Sequence, residues 1–112
     1  MNGDLIMSVR NIVDIFKERV KFVLGPDFVS LYWFGSTATG KTNPESDIDL
    51  LLVIKSPLSP QDRDHVADIA IDLCSDYGFL LDIHYYTKGE MEQSPYSFSP
   101  FLKAVTNEGI LA

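Results

Sequence analysis

Gly35-Ser36-Thr37-Ala38-Thr39-Gly40, followed by Ser46-Asp47-Ile48-Asp49-Leu50-Leu51-Leu52-Val53, is the stretch that decides how this chain folds. A small turn leads, ten residues later (37 through 46), into two carboxylates that alternate along an apolar run. In an extended strand residues i and i+2 share a face, so Asp47 and Asp49 are expected side by side, with Ile48, Leu50, Leu52 and Ile54 on the opposite face. Like charges that close repel each other, and each loses hydration among apolar neighbours. Folding alone gives no reason to accept that cost. A hard cation such as Mg²⁺, held by one or two carboxylates and the oxygens of a substrate phosphate, does.

Outward from this stretch the chain reads as alternating elements. Leu5, Val9, Ile12, Val13, Phe16, Val20 and Val23 recur at helical spacing among polar residues, and Gly25-Pro26 ends that helix. Phe28 to Phe34, aromatic and branched, reads as a buried strand ending at Gly35. Residues 35–46 read as a loop holding one helical turn, and Asp47 to Ile54 as the second strand. Ser59-Pro60-Gln61-Asp62 is a helix start with a capping-box pattern, and Val66, Ile69, Ala70, Leu73 and Tyr77 form the expected buried stripe up to Gly78. Phe79 to Tyr86 follows as a third strand, residues 87–99 as a polar connection, and Ser99-Pro100 opens a short helix carrying Phe101, Leu102 and Val105. The order α-β-loop-β-α-β-α predicts an α/β domain with helices packed on a small sheet.

With 112 residues, the expected organisation is a single domain, 1–112. Its longest apolar run, Ile48 to Ile54, is interrupted by Asp49 and falls far short of the roughly 18 residues of a membrane span. The start, Met1-Asn2-Gly3-Asp4, lacks the basic end of a secretory signal, and Cys74 has no second cysteine to pair with. A cytoplasmic protein is expected, with Cys74 a buried filler. Sixteen acidic against nine basic side chains give a net charge of −7. That balance argues against nucleic acid as a direct partner, because such affinity rests on neutralised phosphates. It leaves room for one nucleotide bound through metal, or for a basic protein partner.

Asp82 repeats the oddity of the second strand, interrupting Phe79-Leu80-Leu81 and Ile83. If the two strands are neighbours, Asp82 converges on Asp47 and Asp49, and three carboxylates around one point form a site for two divalent metals. Glycine at position 35 lets backbone approach phosphate oxygens, and the Ser36 hydroxyl and following N–H groups can donate to them. Plainer readings stand beside these. The aspartates could be solvated acids at strand entries, Ser46 a cap, and Lys41 a loop lysine rather than a phosphate ligand. His84 shares a face with Asp82, yet a histidine on a half-buried strand is more often structural. Trp33, Tyr85 and Tyr86 could stack on a base, although aromatic strand residues are mainly core.

Gly35-Ser36, Ala38, Gly40, Ser46-Asp47-Ile48-Asp49-Leu50, Asp82 and the closing Pro100-Phe101-Leu102…Glu108-Gly109-Ile110 together resemble the DNA polymerase β-type nucleotidyltransferase superfamily. More closely they resemble its small MNT-type (minimal nucleotidyltransferase) members, which pair with HEPN-domain ribonuclease toxins. The resemblance covers nearly the whole chain. It implies a small mixed sheet with flanking helices, and transfer of a nucleoside monophosphate from an NTP, usually ATP, to a hydroxyl with release of pyrophosphate. Asp47 and Asp49 would hold two Mg²⁺, Asp82 would hold the catalytic one and act as, or assist, the base, and Gly35 and Ser36 would grip the triphosphate. The acceptor would be a tyrosine of a HEPN toxin, silenced by the modification. Many relatives carry Arg where this chain has Thr39; the loss of that cation would weaken phosphate binding, unless Lys41 replaces it from a neighbouring position. Small size suggests that a partner protein or a second copy completes the pocket. Two other readings stand beside the antitoxin one: transfer to a small hydroxylated molecule such as an aminoglycoside, and a module that neutralises its partner by contact alone.

Overall fold

Seven apolar-rich residues with branched side chains and no helical period, Ile48–Ile54, form the strand on which the rest of the chain is built. The computed structural model describes residues 3–35, 37–38, 47–93 and 100–112. In chain order these form helix α1 (Gly3–Leu24), strands β1 (Phe28–Phe34) and β2 (Ile48–Ile54), helix α2 (Pro60–Tyr77), strand β3 (Leu81–Thr87), helices α3 (Lys88–Glu92) and α4 (Pro100–Glu108), and the short strand β4 (Ile110–Leu111). The sheet order is β3-β2-β1-β4. β1 runs antiparallel to β2 and β4, whereas β2 and β3 are parallel, so the sheet is mixed as expected. Two parallel strands cannot be joined by a tight turn, and α2 is the crossover that joins them.

The alternation along β2 sorts the core into two layers. Ile48, Leu50, Leu52 and Ile54 pack with Val9, Ile12, Phe16 and Val20 of α1, with Val66 and Leu73 of α2, and with Leu31 and Trp33 of β1. On the other face Leu51 and Val53 pack with Leu102 and Val105 of α4, flanked by Tyr32, Phe34, Tyr86, Met91 and Phe101. Every β2 residue is therefore buried except Asp49, which is half-buried. No helix among the described residues is long and apolar enough to cross a membrane.

Several boundaries differ from the sequence reading, each for a local reason. Ser59 caps α2 by accepting the Asp62 N–H at 3.1 Å, and Gly78, left-handed at φ 79°, ends it. Tyr77 is 46% exposed and leaves the stripe, since Val66 and Leu73 fill the line that faces α1 and the sheet. The third strand begins at Leu81 and runs to Thr87, not from Phe79; the Phe79 ring is buried in the connection, and the Leu80 carbonyl accepts the Ile48 N–H at 2.8 Å. A reciprocal capping box between Thr87 and Glu90, at 3.0 Å in both directions, starts α3 within the expected connection. Cys74 is half-buried, not buried. β4 was not foreseen, because two residues carry no periodicity; backbone pairing of Ile110 and Leu111 to Trp33 and Tyr32 holds it.

Leu73 is fully buried between α2 and the sheet. Leu73→Ala is expected to lower unfolding free energy by about 2–5 kcal/mol, read as a lower urea midpoint at unchanged slope.

Candidate active site

Strand register brings the acidic residues together. Asp49 pairs with Asp82 across the parallel β2–β3 ladder and with Phe34 across the antiparallel β1–β2 ladder. Paired residues on adjacent strands share a face, so Phe34, Asp49 and Asp82 form one row across the α4 side of the sheet. His84, two residues beyond Asp82, lies on that face too, its Nε2 3.4 Å from Oδ2 of Asp82. One donor atom from each of Asp49, Asp82 and His84 lies within 4.8 Å of the others, a spacing that can hold a metal ion.

Asp47 is exposed and lies outside this group of three, although its charge still acts on Asp49. Of the expected trio Asp47, Asp49 and Asp82, the structure brings Asp49 and Asp82 together with His84, while Asp47 is exposed just before β2. The period-two spacing of His84 from Asp82 is the sequence signal for this shared face. Its ring sits against Phe34 and Phe101, at 5.7 and 5.3 Å between centroids, and Phe101 in turn meets Phe34 edge-on at 5.5 Å. These aromatics separate the carboxylates from the apolar layer under α4.

The turn after β1 is fitted to Asp49. Gly35 has φ +81°, a left-handed conformation, and a Cβ there would collide with Oδ2 of Asp49. The Gly35 carbonyl accepts the Ala38 N–H at 3.2 Å, closing a turn. Thr37, nearly fully buried, accepts the Trp33 Nε1–H at 2.8 Å on Oγ1. Trp33 is therefore core and anchor rather than an exposed stacking platform, and Arg10 lies over its ring at 5.7 Å. Thr37 had no signal in the sequence beyond its place in a turn. Ser36, Thr39, Gly40, Lys41 and Ser46 lie outside the described residues.

Partial burial, then the negative charges of Asp82 and Asp47, push the Asp49 carboxyl above its ordinary range; His84 opposes them weakly. The folded state therefore holds the Asp49 proton more tightly than the unfolded chain does. That favours folding below the ordinary carboxylate range near pH 4, and the advantage disappears as pH rises through the raised value. A separate cleft of about 580 Å³ lies near Arg63, Tyr85 and Thr87 at the far ends of β2 and β3, with Asp64 and Glu90 also in its lining.

Comparison with known proteins places this geometry. The nucleotidyltransferase domain family matches residues 9–111. A proposed protein adenylyltransferase of Methanocaldococcus jannaschii, MJ1305, is 38% identical over 72 residues, which cover 62% of this chain and 49% of that protein. The chain thus spans about half the length of that relative. Spectinomycin adenyltransferase AAD(9) from Enterococcus faecialis, solved with ATP and spectinomycin, shares the fold at a TM-score of 0.60 and 22% identity, over 77% of this chain and 38% of its own. A mutant of the toxin–antitoxin MntA-HpeT shares it at a TM-score of 0.56 and 18% identity, over 92% of this chain and 70% of its own.

Two outcomes follow from the site's geometry. Gly35→Ala is expected to destabilise the fold by roughly 1–2 kcal/mol or more, through backbone strain and the collision with Asp49, read in chemical denaturation. Asp49→Asn should raise the melting temperature of the metal-free protein at neutral pH, and the gain should shrink as the buffer is taken toward pH ~4.

Proposed function

Because the chain belongs to the nucleotidyltransferase domain family, we propose that it moves a nucleoside monophosphate, AMP from ATP, onto a hydroxyl with release of pyrophosphate. The observation that carries this reading is the Asp49–Asp82 register with Gly35 packed against Asp49. The donor set fits a hard divalent cation: two carboxylates side by side on adjacent strands, one of them disfavoured as an anion by partial burial and then by its neighbours' charge. On this reading Asp49 and Asp82, joined by Asp47 at the strand entry, hold two Mg²⁺. Bound there, the metal would neutralise the triphosphate and make the acceptor hydroxyl easier to deprotonate.

On the same reading Asp82, which is exposed beside His84, would receive the acceptor's proton or assist the base that does. Gly35, with no side chain in the way, lets backbone and the Ser36 hydroxyl meet the phosphates, and Lys41 and Ser46 complete their binding. The proposed acceptor is a tyrosine of a HEPN-type toxin. The name of MJ1305 and the toxin–antitoxin neighbour support a protein acceptor. An ATP donor fits a cytoplasmic setting.

Incubation with α-labelled ATP, Mg²⁺ and a HEPN-type toxin encoded beside this chain tests the proposal. Label is expected on a toxin tyrosine, reduced at least ~100-fold in Asp49→Asn and in Asp82→Asn. Toxin neutralisation that survives both substitutions would instead make the protein a contact inhibitor. Label appearing only on a small hydroxylated acceptor would move it beside the aminoglycoside-modifying enzymes.

A further inference from the structure

The face of the sheet opposite the carboxylates carries a second unusual surface. Ala67, Ala70, Ile71 and Cys74 of α2, with Leu80 just before β3 and Ile83 within it, line an open groove of about 460 Å³ that is almost wholly apolar. Ile71 is 63% exposed and Leu80 58% exposed. β3 is an edge strand, so among the described residues no further strand covers this side. Apolar surface of this kind, rimmed by charge, marks interaction sites in soluble proteins.

The rim is unusual in its sign. Asp64, Asp68, Asp72 and Asp76 are all exposed and repeat every four residues along α2. At 100° per residue they form one stripe on the solvent side of the groove, about 18 Å long at 1.5 Å per residue. No ion pair among the described residues engages any of the four. Arg63, the only cation on this helix apart from His65, lies over the Tyr85 ring at 4.5 Å. Like charges at i and i+4 weaken a helix by roughly 0.2–0.5 kcal/mol per pair. The fold thus carries an exposed apolar groove, whose floor is the edge of the core at Ala70, Leu81 and Ile83, next to a self-repelling stripe.

We propose that this groove docks an amphipathic helix of a protein partner whose apolar face is flanked by lysines or arginines spaced four residues apart. The apolar face would cover Ile71, Cys74, Leu80 and Ile83, and the cations would lie along the four aspartates, a helix-in-groove arrangement. Charge selects this occupant over a second copy. An isologous pair would bring two aspartate stripes together on chains that each carry a net charge of −7. The surface rests on none of the chemistry assigned to Asp49. On the transfer reading, a partner held here lies one strand edge away from Asp82 and His84, which project from the other face of β3.

The test uses the full chain and a labelled helical peptide of about 16 residues, with leucines on one face and lysines at i, i+4 and i+8 on its flank. Fluorescence anisotropy should show binding that weakens with salt, and amide shifts should map to 67–75 and 80–85. Replacing the lysines by glutamates, or testing Ile71→Asp or the double change Asp68→Lys and Asp72→Lys, should each weaken binding about tenfold or more. Ile71 and the aspartates are exposed, so neither change should lower the melting temperature, and the double change, which turns two of the three like-charge i, i+4 pairs into opposite ones, should raise it slightly; Asp49→Asn should bind the peptide as the parent does. No binding, shifts confined to other surfaces, or equal binding of the glutamate peptide overturns the proposal. A dimer in sedimentation equilibrium that Ile71→Asp dissolves also overturns it, in favour of a second copy.

Discussion

Two carboxylates held at the same level of neighbouring parallel strands are the constraint around which this molecule is arranged. Asp49 and Asp82 cannot move apart without breaking the β2–β3 ladder, which pairs every residue from Ile48 to Ile54 with its partner from Leu81 to Thr87. The ladder in turn is fixed by burial on both faces, because slipping it by one residue would turn the apolar side chains of β2 onto the wrong layers. The repulsion between the two acids is therefore imposed by the core. A surface pair would relax by rotating into water, whereas Asp49, partly buried beside Gly35 and Phe34, has less room to do so.

The surroundings of that pair follow from it. Gly35 is the residue type that both permits the left-handed turn and leaves space for the Asp49 carboxylate. The turn is tied to the interior by the Trp33–Thr37 hydrogen bond, so the backbone after Gly35 is anchored to α1's side of the sheet. On the other side α4 brings Phe101 against His84 and Phe34, separating the acids from an apolar layer built by Leu51, Val53, Leu102 and Val105. A cation between carboxylates is the simplest group to relieve what the fold has concentrated there.

Much of this was legible in the sequence, for physical reasons that differ by element. β1 carries a dense run of aromatic and branched residues, and its bounds Phe28–Phe34 match the reading. α2 is bracketed by a serine cap with proline at its first turn and a left-handed glycine, both local signals with strong backbone consequences. Asp82 could be read because a charge inside an apolar strand has few structural uses. His84 was harder: the sequence puts it on the face of Asp82, but the 3.4 Å contact depends on side-chain placement that periodicity does not encode. Asp47 lies just ahead of β2, which begins at Ile48; it is exposed, and its charge still acts on Asp49. β4 depends on backbone pairing alone, and α3 on a capping box within a stretch whose composition reads as a connection.

The central claim is that Asp49 and Asp82 repel each other in the folded chain and that a divalent cation reverses the sign of their coupling. A double-mutant cycle in thermal stability over Asp49→Asn and Asp82→Asn, run with and without Mg²⁺, measures this directly. Without the cation, each single substitution should stabilise the protein, and the second should add little once the first is made, because the repulsion is already gone. With saturating Mg²⁺ each single substitution should destabilise, since the ion stabilises only the state that binds it. Additive effects that do not change with Mg²⁺ would contradict the account.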